Sequence, residues 1–290
     1  MVLVHAHPDD ETIGTGVTMA KYAADGVAVT LVTCTRGEEG EVLIASLGHL
    51  SAAHTDGLGA HREVELADAM TELGIADYRY LGEPHEFRDS GMMGEPSNDR
   101  PECFWRADLL EASARIAAVL REVRPQVLVT YDETGGYGHP DHIQAHRVAM
   151  YGSQLAAAPS FRPELGEAWE VPKVYWTAVP RSYVQQGIDA LIAAGGKGFF
   201  GLDSADDLPF VIDDSLVTTR IDGRALQERK LAALRAHATQ VEPDSEFFQM
   251  AELLGPDAMG WEFFRLVRGR PGPLDDDGFE TDLFALPSEG

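Results

Sequence analysis

Two short segments of the sequence place histidine and aspartate next to a proline. The first, HAHPDDE, spans residues 5–11 and directly follows an apolar run at residues 2–4. The second, GGYGHPDH, spans residues 135–142 and follows another apolar run, a few residues upstream. Ligand sites in parallel α/β sheets lie beyond the carboxyl ends of the strands. We therefore expect the two segments to meet at one edge of a sheet.

Histidine and aspartate in this pattern are typical ligands of a catalytic divalent ion. A zinc hydrolase uses about three protein ligands and leaves one position for water. His7 and Asp10 can converge on one ion from the first segment, and His142 can complete the set from the second. Such an ion lowers the pKa of its water towards neutrality. Asp9, which is not needed as a ligand, can then take the water's proton as a general base.

The second segment adds groups that can stabilise charge while an amide is hydrolysed. His139 and Asp141 repeat the pairing of imidazole and carboxylate, and a nearby carboxylate raises the pKa of an imidazole. A cationic His139 could stabilise an oxyanion or protonate a leaving amine. Tyr137 lies among glycines, and its phenol could hydrogen-bond a substrate carbonyl. These residue types favour metal-assisted amide hydrolysis.

Each segment also has a purely structural interpretation. An HPD sequence can form a turn followed by a helix cap. Two copies at equivalent strand ends favour a metal site over two unrelated turns. His5 is predicted to be structural, because it precedes the turn. Glu11 has two open interpretations: it could support a metal ligand, or it could simply be a favourable charge in the first turn of a helix.

The same residues carry a resemblance to a known family. The early HPDD and the later HPDH are similar to the signature of the LmbE-like, or PIG-L, family of zinc-dependent de-N-acetylases. Further segments resemble the branch that acts in mycothiol biosynthesis: VTCTRGEEGEV, RDSGMMG, VTYDETGGYGHPDH and RAHATQ. This likeness extends over nearly the whole chain. It implies that an N-acetylglucosaminyl-inositol is hydrolysed to acetate and a free amine.

The resemblance also implies a role for individual residues. The implied zinc ligands are His7, Asp10 and His142. The implied catalytic groups are the base Asp9, the carbonyl-polarising Tyr137, and the acid or electrostatic pair His139 and Asp141. Arg62 and Asp89 match positions of sugar and inositol contacts, although Arg62 could instead form an ion pair on a helix surface and Asp89 a turn. The same ligand set also accepts Fe(II) or Co(II).

Related proteins leave other functions open. Mycothiol S-conjugate amidases share both motifs but resemble HPDDESSK and GGYPHPDH, whereas here Gly14 stands in place of the lysine and Gly138 in place of the proline. The deacetylase interpretation is therefore preferred, with the amidase or the deacetylation of another N-acetylglucosaminide as alternatives. A non-catalytic sugar-binding module is an alternative from a different class. Nucleotide binding is disfavoured, because the first turn is acidic and lacks GxGxxG.

The elements that must position these segments alternate along the chain. Strands are predicted at residues 2–5, 27–35, 78–81, 127–131, 174–178 and 263–267. Helices are predicted at residues 12–24, 61–73, 109–123, 142–156 and 224–237. This alternation predicts an α/β fold with a mainly parallel, Rossmann-like sheet flanked by helices, which is the LmbE-like fold that the resemblance implies.

We expect a single catalytic domain over residues 1–290. Residues 1–158 would form the metal-binding core, and residues 159–290 a smaller C-terminal region that completes the sheet and covers the site. The long segment 82–103 is rich in Gly, Pro, Asp and Ser and is predicted to be a loop near the site. The acidic end, residues 275–290, is predicted to be a frayed tail.

Composition limits the partners and the compartment. The chain has 23 Lys and Arg against 48 Asp and Glu, a formal net charge of −25, which repels phosphate backbones and anionic lipids. We therefore expect a small-molecule substrate and neither nucleic acid nor membrane as a partner; the oligomeric state stays open. Cys34 and Cys103 show no CxxC spacing, as is usual in a reducing compartment. With no apolar run of membrane length and no leader pattern, a cytoplasmic location is expected.

Overall fold

The computed structural model describes residues 1–287, which are built around one twisted sheet. The strands are β1 (Val2–His5), β2 (Thr30–Thr33), β3 (Asp77–Tyr80), β4 (Val127–Thr130), β5 (Lys173–Ala178), β6 (Thr219–Asp222) and β7 (Trp261–Arg268). Their order in the sheet is β3-β2-β1-β4-β5-β7-β6. Strands β1 to β5 are parallel, and β7 runs antiparallel to β5 and β6. The predicted α/β class with a mainly parallel sheet is confirmed.

Helices cover both faces of this sheet. They are α1 (Asp10–Ala24), α2 (Leu58–Leu73), α3 (Leu109–Val123), the short α4 (Gly135–Gly138), α5 (Pro140–Ala157), α6 (Arg181–Ala193), α7 (Gln227–Ala236), α8 (Glu246–Leu254) and α9 (Pro256–Met259). Short 3₁₀ segments connect several of them. Within residues 1–287, no helix combines the length and apolar character needed to cross a membrane.

Strand β1 shows why its sequence is apolar throughout. Val2 and Val4 pack towards α3 and α5 on one face of the sheet, while Leu3 packs towards α1, α2 and α7 on the other. Alternate residues of a strand point to opposite faces, so a central strand covered on both sides needs a continuous apolar run. This burial fixes the strand at the centre of the molecule, and the chain leaves it at His5 towards the predicted site.

Helix starts differ from the predicted ones in a way that affects the site. Helix α1 begins at Asp10 rather than Thr12, and α5 begins at Pro140 rather than His142. Proline is favoured in the first turn of a helix, because its missing N–H has no partner there anyway. The candidate ligands Asp10 and His142 therefore lie in first turns of helices, not in free loops.

The prediction of a frayed C-terminal tail is wrong for residues 275–285, which pack against the sheet, and residues 288–290 lie outside the described part. Glu280 is fully buried, pairs with the Lys173 ammonium and accepts a hydrogen bond from the Tyr175 hydroxyl at 2.7 Å. The Leu283 N–H donates to the Tyr22 hydroxyl at 2.7 Å. The acidic composition suggested a solvated tail, but a buried cation neutralises the one carboxylate that enters the core.

Candidate active site

The two HPD segments meet at the carboxyl ends of neighbouring strands. Strand β1 pairs in parallel with β4, and the chain continues from each strand into a loop and then into α1 or α5. The ring of His7 lies with its centroid 4.6 Å from that of His139 and 5.2 Å from that of His142. All three side chains are buried. The expectation that both segments lie at one edge of the sheet is confirmed.

Asp10 lies between the two predicted histidine ligands. Its Oδ2 is 3.3 Å from Nδ1 of His7 and 3.3 Å from Nε2 of His142. Ligands that sit about 2.0–2.1 Å from one tetrahedral ion are themselves about 3.3 Å apart. One nitrogen from each of His7, His139 and His142 also lies within 4.8 Å of the others. The cluster of His7, Asp10, His139 and His142 could therefore hold a metal ion.

The charges around these residues fit a cation. Burial opposes the ionisation of Asp10, but His142 and His7 outweigh it and hold the pKa of Asp10 well below its ordinary value. Burial lowers the pKa of His7, but the surrounding carboxylates, Asp89 first among them, raise it well above the ordinary value. The potential at the His7 ring is therefore strongly negative, and a divalent cation would be stabilised there.

Asp141 supports His7 from the side opposite Asp10. Its Oδ2 is 3.3 Å from Nε2 of His7 and accepts the Ser90 N–H at 2.8 Å. The Ser90 hydroxyl donates to the other oxygen of the same carboxylate. A histidine that binds a metal through one nitrogen usually donates its other N–H to a carboxylate. The surroundings of His7 have this arrangement.

The predicted pairing of the Asp141 carboxylate with His139 is therefore wrong. His139 instead accepts the backbone N–H of Asp141 on its Nδ1, at 3.1 Å, as the N-cap of α5. Burial, followed by the nearby His7 and His142, lowers the pKa of His139 to about 3. This lowered pKa favours a neutral ring, in which the accepting Nδ1 leaves the proton on Nε2, over the predicted cationic form. A neutral ring on the cavity wall can donate a hydrogen bond.

Asp9 stands outside the ligand cluster and beside Arg62. The Asp9 Oδ2 accepts a hydrogen bond from Nη2 of Arg62 at 3.0 Å. Burial raises the pKa of Asp9 to about 6, and Arg62 acts in the opposite direction. Such a carboxylate is ionised at neutral pH but basic enough to accept a proton from water.

Arg62 is buried, so the alternative of a surface ion pair is wrong. Its guanidinium donates to the carbonyl of Gly37 at 2.9 Å and to the carbonyl of Pro8, besides Asp9. It also forms part of the cavity wall. Most of its donors are thus used inside the protein, although the side chain lies where a substrate could reach it.

Tyr137 projects from a glycine-rich turn beside the cluster. Its hydroxyl lies 3.5 Å from Nε2 of His142, and the residue is 40% exposed. Gly136 and Gly138 have φ angles of 74° and 88°, and no atom lies near the position of an added Cβ. Only glycine adopts such a backbone without strain. The turn therefore needs Gly136 and Gly138 for backbone conformation rather than for space, and it presents the phenol to the cavity.

Asp89 brings the loop of residues 82–103 to the site. Its Oδ1 lies 3.6 Å from Nε2 of His7 and accepts the Gly91 N–H at 2.8 Å, so the residue forms a turn and faces the cluster at once. Burial opposes its ionisation, but His7 outweighs it and lowers the pKa of Asp89 below its ordinary value. The residue also lines the cavity, as the predicted substrate contact requires.

A cavity of about 1000 Å³ opens over these residues. One end contains the histidines and aspartates of the two HPD segments. The other end is largely apolar and is formed by the C-terminal region, including Tyr183, Phe199, Phe210, Phe247 and Met250. The C-terminal residues thus line the cavity as well as extending the sheet.

Glu11 and His237 form a buried pair next to the site that sequence reasoning did not find. His237 Nε2 lies 3.0 Å from Glu11 Oε1, and both side chains are fully buried. Burial opposes the charging of His237, but Glu11 outweighs it and raises the pKa of His237. The sequence marks His237 only as part of the RAHATQ segment, which indicates family membership and no role for the histidine. Nothing local in the sequence indicates a contact between residues 226 positions apart.

The fold and the site together define an α/β protein with a cluster of histidines and aspartates that could hold a metal ion, at the carboxyl ends of its parallel strands. A family model described as GlcNAc-PI de-N-acetylase, or PIG-L, matches residues 2–151. The chain belongs to this PIG-L family.

Sequence relatives agree with this assignment, and a solved structure shares the fold. A protein of Geodermatophilus obscurus named 1D-myo-inositol 2-acetamido-2-deoxy-alpha-D-glucopyranoside deacetylase is 60% identical over 98% of this chain and 97% of its own length. A Catenulispora acidiphila protein with the same name, numbered 1, is 57% identical over 98% of this chain and 88% of its own. The N,N'-diacetylchitobiose deacetylase of Pyrococcus horikoshii shares the fold, with a TM-score of 0.61 and 20% identity over 92% of this chain and 83% of its own.

Proposed function

We propose that this protein hydrolyses the acetamide of 1D-myo-inositol 2-acetamido-2-deoxy-α-D-glucopyranoside to acetate and the free amine. Relatives that are 60% and 57% identical over almost the whole chain carry the name of this activity. One observation of the site carries the proposal. Asp10 lies 3.3 Å from nitrogens of both His7 and His142, while Asp9 is held just outside this cluster by Arg62.

We propose zinc as the metal, with Fe(II) or Co(II) as replacements that the same donors accept. His7, Asp10 and His142 would hold it, and Asp141 would fix the His7 ring through Nε2. When bound, the ion would supply Lewis acidity towards water and the amide carbonyl. Carboxylate and imidazole are its usual donors in hydrolases.

Asp9 is the proposed base. Its carboxylate takes a proton from the attacking water as the new bond forms between the water oxygen and the carbonyl carbon. Burial and the neighbouring histidines lower the pKa of His139 to about 3, so we assign the proton that the departing nitrogen needs to Asp9 rather than to His139. Asp9, which has just gained a proton, delivers it as the carbon–nitrogen bond breaks. One carboxyl group thus serves as base and then as acid.

Tyr137 and His139 are the proposed hydrogen-bond donors to the reacting amide. The Tyr137 hydroxyl and the Nε2–H of His139 both belong to groups that line the cavity beside the cluster. A donor that faces developing negative charge on an oxygen stabilises the transition state more than the ground state. Desolvation of the phenol raises the pKa of Tyr137, which favours a hydroxyl that donates its hydrogen over a phenolate.

Asp89 and Arg62 are the proposed contacts with the sugar and the inositol. The ionised Asp89 carboxylate can accept hydrogen bonds from sugar hydroxyls at the cavity wall. Arg62 already binds Asp9, so its primary role would be to hold the base, and a direct contact with substrate would be additional. The buried free thiols of Cys34 and Cys103 support our further proposal of a reducing, cytoplasmic location.

Acetate release from the proposed substrate tests this function. The purified protein is assayed before chelation, after chelation, and after zinc is restored. We expect release that disappears with chelation and returns with zinc. A metal-loaded protein that released no acetate would contradict the proposed substrate. Assays with mycothiol S-conjugates and with other N-acetylglucosaminides would then identify the amide that is hydrolysed instead.

A further inference from the structure

Asp9 has a backbone conformation that its residue type disfavours. Its φ angle is 116° and its ψ angle −34°, although it carries a side chain. Positive φ values cost an L-residue of order 1–3 kcal/mol, and they persist only where the surroundings hold them. Asp9 is also the residue that directly precedes α1. Contacts from the surrounding structure must therefore hold the peptide group between Pro8 and Asp9 in this conformation.

Both polar atoms of the peptide group that joins Pro8 to Asp9 are held by buried charged side chains. On one side, Arg62 donates a hydrogen bond to the Pro8 carbonyl. On the other side, the Asp9 N–H donates to Oε2 of Glu11 at 2.9 Å. A peptide group held at both its carbonyl and its N–H cannot rotate to relieve the strained φ angle without losing one of these bonds.

Glu11 is itself held from a distant part of the chain. His237, which directly follows α7, lies 3.0 Å from Glu11 Oε1, and the Thr12 hydroxyl donates to the same oxygen at 2.5 Å. Among residues 1–287, Nδ1 of His237 has no hydrogen-bond partner, so Glu11 is the main polar contact of the ring. An acidic side chain that reaches back to the N-cap is common in helices, but a buried histidine behind it is not part of that motif.

We propose that His237 and Glu11 form a positioning pair that holds the Asp9 peptide, and with it the Asp9 carboxylate, in the geometry needed for proton transfer. The inference rests on the proposed function, in which Asp9 is the base. Neither Glu11 nor His237 is among the residues that line the cavity. The C-terminal region thus takes part in catalysis through the backbone of a residue that follows β1.

Replacement of Glu11 by alanine tests the pair. Glu11→Ala removes the acceptor of the Asp9 N–H, and we expect kcat to fall about tenfold to a hundredfold, as small displacements of a catalytic group do. KM should change less than about twofold, because the pair does not touch the substrate. Glu11→Gln keeps an oxygen acceptor for the same N–H and should restore most of kcat. Bound zinc, measured by elemental analysis, should stay the same in both variants.

A matched control is available in the core. Glu280 is as buried as Glu11 and is paired with a cation, but it lies outside the cavity wall. Glu280→Ala should lower stability and leave kcat of the folded protein unchanged. An equal loss of kcat in Glu280→Ala and Glu11→Ala would overturn the proposal, since the loss would then reflect general destabilisation. If Glu11→Ala does not fold, His237→Phe replaces it, because this variant keeps a ring and removes the donor to Glu11.

Two further measurements separate this proposal from the proposed function. A crystal structure of the Glu11 or His237 variant should show Asp9 with a φ angle outside the positive range, and this readout needs no turnover. An unchanged Asp9 conformation would refute the pair even if the enzyme is a deacetylase. In an Asp9→Asn background, Glu11→Ala should cause no further loss of kcat, since residues that act through one group are not additive. If Glu11→Ala lowered kcat in the Asp9→Asn background as much as it does in the original protein, the proposed pair would also be refuted.

Discussion

The Asp141 carboxylate lies 3.3 Å from Nε2 of His7, and it reaches the ring from the side opposite the Asp10 carboxylate. This contact leaves Nδ1 of His7 facing Asp10, at 3.3 Å. A carboxylate in this position fixes both the orientation and the tautomer of a ligating histidine. We therefore propose that Asp141 supports the His7 ring at the candidate metal site rather than forming an acid pair with His139.

Asp141→Ala should lower zinc affinity about tenfold to a hundredfold, as the loss of such a supporting carboxylate typically does. Competition with a chromogenic chelator measures this affinity. Asp9→Asn serves as the control, because Asp9 lies outside the ligand cluster. The zinc affinity of this variant should stay near that of the original protein. Unchanged affinity in Asp141→Ala would contradict the role of Asp141.

Asp9→Asn should reduce kcat about a hundredfold to ten-thousandfold, the contribution expected of a general base. The amide is close in size to the carboxylate and still accepts a hydrogen bond from Arg62, which keeps the local packing. Metal content should remain that of the original protein. Residual turnover within about threefold of the original would exclude Asp9 as the group that takes the proton.

The approach of the two HPD segments could be predicted from sequence because it depends on simple rules. Apolar runs at residues 2–4 and 127–129 indicate buried strands, and parallel strands bring their carboxyl ends to one edge. Helix α3 also has its predicted bounds, Leu109–Val123. Its start is marked by Asp108, whose side chain accepts the Glu111 N–H as a cap. Local signals and a strong periodicity agree in these elements.

The partners of buried polar groups could not be predicted in the same way. Asp141 follows His139 closely in sequence, which suggested a pair, but α5 begins at Pro140 and directs the Asp141 carboxylate to His7, 134 residues away. Glu280 could not be assigned for a similar reason, because its partner Lys173 lies on β5, 107 residues earlier. Such contacts are set by tertiary packing, and residue spacing carries no signal of them.

Arg62→Gln should move the acidic limb of the kcat/KM profile to higher pH. Burial raises the pKa of Asp9 to about 6, and the charge of Arg62 lowers it. Activity needs ionised Asp9, so it should rise as pH increases through the pKa of this group. Without the Arg62 charge that pKa increases, and a higher pH is needed to ionise Asp9. A limb that stayed in place or moved to lower pH would contradict the coupling of the two residues.

His139→Gln should keep the shape of the pH profile while lowering kcat. Burial and the neighbouring histidines lower the pKa of His139 to about 3, so this ring does not titrate between pH 5 and pH 9. Glutamine retains an N–H donor, and we expect kcat to fall less than in His139→Ala. If the original enzyme shows a basic limb, that limb should persist in His139→Gln. Its selective disappearance would identify His139 as a proton donor after all.

Glu280→Ala should lower the free energy of unfolding by about 3 kcal/mol, because it leaves the Lys173 ammonium buried without its partner. The same carboxylate accepts hydrogen bonds from the Tyr175 hydroxyl and the Gly272 N–H, both at 2.7 Å, so those donors also lose their acceptor. Urea denaturation followed by circular dichroism measures the change. An exposed acidic residue of the same segment, such as Asp276, provides the comparison, and Asp276→Ala should change stability by less than about 0.5 kcal/mol. Equal stability of the two variants would mean that the C-terminal segment does not hold the end of the sheet, contrary to the contacts of Glu280.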